Sequence, residues 1–128
     1  MAASSATLHE AEEHLKPTTR DLHRALASLM EELEAIDWYQ QRIDATQDDE
    51  LREILRHNRN EEIEHAAMVL EWIRRRRPEF DERLRPYLFT EGSIVGREEA
   101  VERGGPDGGG RNGGAAPFAS VGSLREER

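Results

Sequence analysis

The sequence predicts an all-α protein: two long antiparallel helices forming a helical hairpin, a short C-terminal helix, and a four-helix bundle completed by dimerisation. Three observations predict it. Ala25, Leu29, Glu32, Ile36 and Tyr39 recur in steps of four and three, the spacing of one helix face turned toward a partner. Leu51, Leu55, Asn58, Glu62, His65, Val69 and Trp72 keep the same rhythm. Between them the polar run Asp44-Ala45-Thr46-Gln47-Asp48-Asp49 is a turn that folds the second helix back on the first.

Each element has a local reason. Residues 1–13 are small and polar and read as a flexible N-terminus. Pro17 marks the start of the first helix, with Thr18 or Thr19 as its cap, and the helix runs to about Ile43. Besides its seam it carries a stripe at Leu15, Leu22, Leu26, Leu29, Leu33 and Ile36, wide enough to meet more than one partner helix. The second helix begins near Asp48 or Asp49, both good caps, and ends in Arg74-Arg75-Arg76-Arg77-Pro78. Cations there complement the helix dipole and Pro78 stops the helix, so the basic run needs no nucleic acid to explain it. Glu79–Arg85 forms one or two turns before Pro86, and Tyr87-Leu88-Phe89 is an apolar knot that packs under the bundle or against a neighbour. Gly92 and Gly96 bracket a turn, and Arg97–Arg103 adds a short helix. The helical domain thus spans 14–103. Residues 104–117 are a Gly-rich linker. Residues 118–128 place Phe118, Val121 and Leu124 among small side chains, which suits either a plain unstructured end or a short peptide offered to a groove on another protein.

Composition narrows the function. At 128 residues the chain is one domain plus tails, and a formal charge of -9 argues against a nucleic-acid partner. With 36% hydrophobic and 35% charged residues the chain is too lean for a large private core, so it is expected either to be partly disordered or to complete its core by oligomerising. The absence of Cys removes disulfides, thiol catalysis and zinc-thiolate sites. No signal peptide or membrane span is evident, which makes the cytoplasm the default location.

Two seam positions carry the chemistry. Glu62 and His65 are a carboxylate and an imidazole where Leu or Ile would pack best, and at i and i+3 they reach the same point. A carboxylate removed from water needs something to neutralise it. Glu-x-x-His facing inward is how di-iron and di-manganese carboxylate bundles bind metal, with a single Glu added by each further helix. Glu32 supplies that Glu: it lies about 14 residues before the turn and Glu62 about 14 after it, so at ~1.5 Å rise per residue they meet at similar height. The three residues are half of a di-metal site, and a two-fold contact would bring an identical half from a second chain. Four carboxylates and two imidazoles suit Fe(II), Mn(II) or, less selectively, Zn(II).

Other candidates keep two readings each. Glu31 and Glu34, with Trp38 four residues beyond Glu34, are either a solvated acidic face or a second cation site feeding the first. Tyr39, two turns along the seam from Glu32, is a hydrogen-bonding or ligating group near the metal or a core aromatic. His57, Glu61 and Glu64 are a charged face or a weak surface site for calcium or another divalent cation. His9, His14 and His23 read as exposed or half-exposed residues.

The stretches Met30–Tyr39, His57–Met68 and Tyr87–Gly92 closely resemble the encapsulated ferritins, two-helix members of the ferritin-like group carried inside encapsulin shells. The resemblance covers roughly residues 8–100, and Ser120–Arg125 resembles the peptide that loads cargo into encapsulins. It implies a ferroxidase oxidising Fe(II) with O2 at an inter-subunit di-iron centre, two iron ions per dimer interface. Glu32, Glu62 and His65 are then the ligands, with Tyr39 close by. Glu31 and Glu34 become a site through which metal enters near Trp38, and His57, Glu61 and Glu64 a peripheral cation site. Dimers are expected to assemble into a decameric ring without a closed storage cavity, so ferric product mineralises inside the encapsulin nanocompartment, to which residues 118–128 direct the chain. The alternative is a non-catalytic metal-binding helical assembly or adaptor protein, marked by stable redox-inert metal. An oxygenase acting on an organic substrate fits less well, because no apolar pocket can be read from so short a chain.

Overall fold

The computed structural model describes residues 7–104 and is helical throughout its regular elements. Helix α1 spans Pro17–Ala45 and α2 spans Asp49–Arg76. A single residue, Arg77, separates α2 from the short α3, Pro78–Leu84, and a last helical stretch covers 94–104. Before α1, Glu12–His14 makes one 3-10 turn, and Arg20 reaches back to Glu12 at 3.4 Å. The chain divides into two units at Ile73/Arg74, and each is taken by itself. Of the N-terminus expected to be flexible over 1–13, residues 1–6 lie outside the described residues and 12–13 enter the 3-10 turn. Of the linker expected over 104–117, Gly104 instead ends the last helical stretch, and 105–117 and the tail 118–128 lie outside the described residues.

In the first unit α1 starts on Pro17 itself, and Lys16, not a threonine, is its cap. Proline has no N–H to leave unpaired and its φ is already helical, so it occupies the first position. Thr18 and Thr19 therefore sit in the first turn, where the Lys16 carbonyl accepts from the Thr19 and Arg20 amides at 3.0 and 3.1 Å. At the other end the helix continues two residues past Ile43 to Ala45, leaving a three-residue connection at 46–48. Asp48 caps α2, its Oδ1 accepting from the Leu51 amide at 3.0 Å, and its own amide donates to Thr46 Oγ1 at 3.2 Å. Asp49 and Glu50 in the first turn of α2 and Arg74–Arg76 in its last oppose the helix dipole at both ends.

The two long helices run antiparallel, as three cross-helix contacts show: Arg52 to Ile43, Arg59 to Gln40 and His65 to Glu32. Their seam is thin. Among the described residues the buried apolar side chains of the core are Ile43, Ala66 and Ile73, while Leu33, Leu51, Ile54, Ile63 and Met68 are all exposed. A hairpin of this kind leaves much apolar surface to be covered, which agrees with the lean composition.

In the second unit Asp81 accepts from Arg85 Nε at 2.9 Å and also pairs with Arg74, tying α3 to the end of α2. The apolar knot divides: Tyr87 and Leu88 are half-buried, whereas Phe89 is 62% exposed with φ of 61°. Gly92 takes a φ of 85°, a left-handed turn that suits glycine. Gly96 does not bracket that turn as expected; it lies in the first turn of the last helical stretch, its amide donating to Ser93 Oγ at 2.9 Å. Ser93 is thus the cap, and the helix expected over Arg97–Arg103 begins three residues earlier.

Candidate metal centre

Glu32 projects from the middle of α1 and Glu62 and His65 from the middle of α2. Each offers a ligand atom, and these atoms lie within 4.8 Å of one another. His65 Nδ1 is 3.1 Å from Glu62 Oε1 on its own helix and 3.7 Å from Glu32 Oε2 across the hairpin. The glutamate side chains are 24% and 25% exposed and the imidazole 43%, so the group is half shielded and open on one side.

The electrostatics follow from two carboxyls meeting. Glu32 is pushed above the usual carboxylate range, first by its hydrogen bond with Glu62, then by desolvation and the nearby Glu62 charge. Glu62 is held low by that same hydrogen bond and by His65. The opposed shifts are what two carboxyls meeting beside one imidazole produce. His65 is raised above 6.5, chiefly by its hydrogen bond to Glu62. Two carboxylate oxygens and one imidazole nitrogen converging this closely are a donor set for a divalent cation of the Fe, Mn or Zn kind. With three donors from one chain, coordination positions remain.

The other candidates lie elsewhere. Tyr39 is seven residues from Glu32 on α1, about 10 Å along the axis, half-buried with the Arg42 guanidinium 5.5 Å from its ring centre. Glu31 is exposed, Glu34 half-buried and Trp38 49% exposed. His57, Glu61 and Glu64 are all exposed on α2. No second group of three acidic or histidine side chains comes as close together among the described residues.

Two arginines of α2 that reach across the hairpin carry no signal in the sequence. Arg52 Nε donates to the Ile43 carbonyl at 3.2 Å, and its Nη2 donates to the Thr46 carbonyl. Arg59 Nη1 donates to Gln40 Oε1 at 2.6 Å. Only the hairpin's register, added to the length of an arginine side chain, could have pointed to either contact.

A model of the EncFtn-like family matches residues 7–91. The chain belongs to the EncFtn-like family. Within and beyond that family match, it is 52% identical over 131 aligned positions to the encapsulated ferritin-like protein of Rhodospirillum rubrum, across 99% of this chain and 94% of the relative. It is also 39% identical over 125 positions to the encapsulin nanocompartment cargo protein EncC of Myxococcus xanthus, across 86% and 89% of the two chains. Among solved structures, this EncFtn-like chain is similar to protein ne0167 of Nitrosomonas europaea, with a TM-score of 0.67 and 57% identity over 69% of this chain and 97% of that one.

Proposed function

We propose that this protein is a ferroxidase that takes Fe(II) as substrate, oxidises it with O2 at a di-iron centre shared by two chains, and delivers Fe(III) for storage inside an encapsulin shell. One observation carries the reading: Glu32, Glu62 and His65 converge within 4.8 Å on a half-shielded face, two carboxyls and an imidazole in the donor arrangement that suits a divalent cation. The names of the relatives, an encapsulated ferritin-like protein and an encapsulin cargo protein, support the setting.

A second copy related by a two-fold axis adds the same three side chains, giving four carboxylates and two imidazoles for two ions. Each Fe(II) gives up one electron, and two ions held side by side supply a shared O2 with two, where a lone ion would release a radical. Glu32 and Glu62 supply anionic oxygens that compensate the charge gained on oxidation, and His65 contributes a neutral nitrogen once its proton has left. Glu31 and Glu34 near Trp38 form the site through which Fe(II) enters, Tyr39 of the assembled dimer stands near the centre, and His57, Glu61 and Glu64 hold a peripheral divalent cation. The dimers close into a decameric ring, and residues 118–128 bind the shell.

Aerobic Fe(II) oxidation followed by absorbance tests the chemistry. Glu62→Ala and His65→Ala proteins that keep their helical content are expected to lose turnover; oxidation at the parent rate would refute the assignment. Deleting residues 118–128 is expected to abolish shell loading with iron oxidation intact, and persistent loading would count against the targeting role.

A further inference from the structure

A thin apolar seam specifies register weakly. Three core side chains are buried among the described residues, and Leu51, one of the seam leucines, is 44% exposed. Sliding one helix by a residue displaces its side chains by ~1.5 Å and turns them by about 100°, whereas metal ligands must sit within about 0.2 Å of their required distances. Polar contacts between α1 and α2 must therefore supply the precision that packing lacks.

Arg52 fixes the turn end, closing the C-terminus of α1 while its Nη1 meets Asp49 Oδ1 at 2.6 Å. Nearer the metal centre, Arg59 crosses the hairpin. It stands three residues before Glu62, and its side chain leans toward the helix N-terminus, the direction in which Gln40 lies. Three of the five guanidinium N–H groups are used: Nη1 donates to Gln40 Oε1 at 2.6 Å, and Nη2 and Nε donate to Asn60 Oδ1 at 2.8 and 3.2 Å. Gln40 is oriented in turn, its amide donating to Asp44 Oδ1 at 3.0 Å. A half-buried planar fork tied to both helices is a stiffer strut than a freely rotating lysine would be.

We infer that the Arg59–Gln40 bridge sets the register at which Glu32 faces Glu62 and His65, which makes Arg59 a positioning residue for the metal centre. The inference rests on the reading of that trio as a metal site. Arg59 touches no ligand; it acts by holding α2 at one height against α1.

Co(II) binding to the full-length protein tests it, read as affinity and as the d–d absorption that reports ligand geometry. Arg59→Met and Gln40→Leu are each expected to weaken Co(II) binding by roughly ten- to a hundredfold, the loss of a hydrogen bond from a charged donor, and to change the absorption band. The double variant is expected to be no weaker than either single one, because both remove the same bond. Gln40→Glu, which keeps an acceptor for Arg59 but loses the donor to Asp44, is expected to bind more tightly than Gln40→Leu, and Arg56→Met, at an exposed position of α2, to bind as the parent does. If Arg59→Met does not fold, the two Gln40 variants carry the comparison. Parent-like affinity and spectrum in Gln40→Leu, or additive losses in the double variant, would overturn the positioning role. Unchanged Co(II) binding in Glu62→Ala would instead overturn the metal site itself.

Discussion

Two clusters of three ionisable side chains stand in different units of this chain, and their electrostatics are opposite. Asp81 lies between two arginines, 2.9 Å from Arg85 and paired also with Arg74, and its carboxyl is held below the usual range by Arg85 first and Arg74 second. Glu32, Glu62 and His65 are two acids and one weak base, and here one acid is pushed up by its hydrogen bond with the other while that other is held low. The first cluster is complete: each charge meets its opposite, and the result joins α3 to the end of α2. The second sets acid against acid and has donors to offer a cation. Proximity of charged groups is therefore not what marks a site. A second acid in place of an arginine separates a place suited to a ligand from a structural tie.

Substitution breaks the comparison most sharply. Glu62→Ala or His65→Ala is expected to weaken divalent-metal binding more than ~100-fold, since losing groups that merely support a ligand already costs 10–100-fold. Asp81→Asn is expected to leave binding unchanged. Equal effects at both clusters, measured by the same titration, would erase the distinction.

Acidity gives the next largest effect. Raised values at Glu32 and His65 mean that both hold protons to higher pH than usual, and a bound metal must displace them. Affinity is therefore expected to climb as pH rises through the raised His65 value, above 6.5, by up to ~10-fold per unit for each proton released. An affinity independent of pH would contradict ligation by these groups.

Removing charge at the proposed uptake site has a smaller consequence. Glu31→Gln and Glu34→Gln are expected to slow iron uptake roughly threefold through weaker local attraction, without changing the number of ions bound. Loss of bound metal in these variants would assign them to the centre itself.

The smallest effect belongs to the complete cluster. Asp81→Asn is expected to lower stability by about 1 kcal/mol at neutral pH, as for a partly shielded ion pair. Because the folded-state value of Asp81 lies below its ordinary 3.8, its contribution is present above that value and fades as pH falls through the lower one. Urea midpoints of parent and variant should converge as pH falls through that lowered value; a constant gap would mean the aspartate acts by packing.

Periodicity made the hairpin and the trio legible. Steps of four and three report which side chains share a face, and equal distances from a polar turn place Glu32 opposite Glu62 without any knowledge of contacts. Pattern reading fails where the answer depends on the far end of a long side chain. Arg52 and Arg59 look like ordinary charged helix residues, yet their guanidiniums reach α1 carbonyls and Gln40. Phe89 shows another limit: it is expected to pack under the bundle or against a neighbour, and in the single chain it is exposed on a left-handed backbone, which leaves only the second of those places. Thr18 and Thr19 lost the cap to Lys16 because Pro17 suits the first helical position better than it suits a preceding loop.

The central claim is that two chains together complete a centre of which each holds half. Native mass spectrometry of the full-length protein, with and without Fe(II), reads assembly and metal number together. The account predicts even-numbered assemblies that gain two iron ions per pair of chains, and no such gain in Glu62→Ala or His65→Ala. A monomer that takes up no iron, or uptake unaffected by those substitutions, would contradict it.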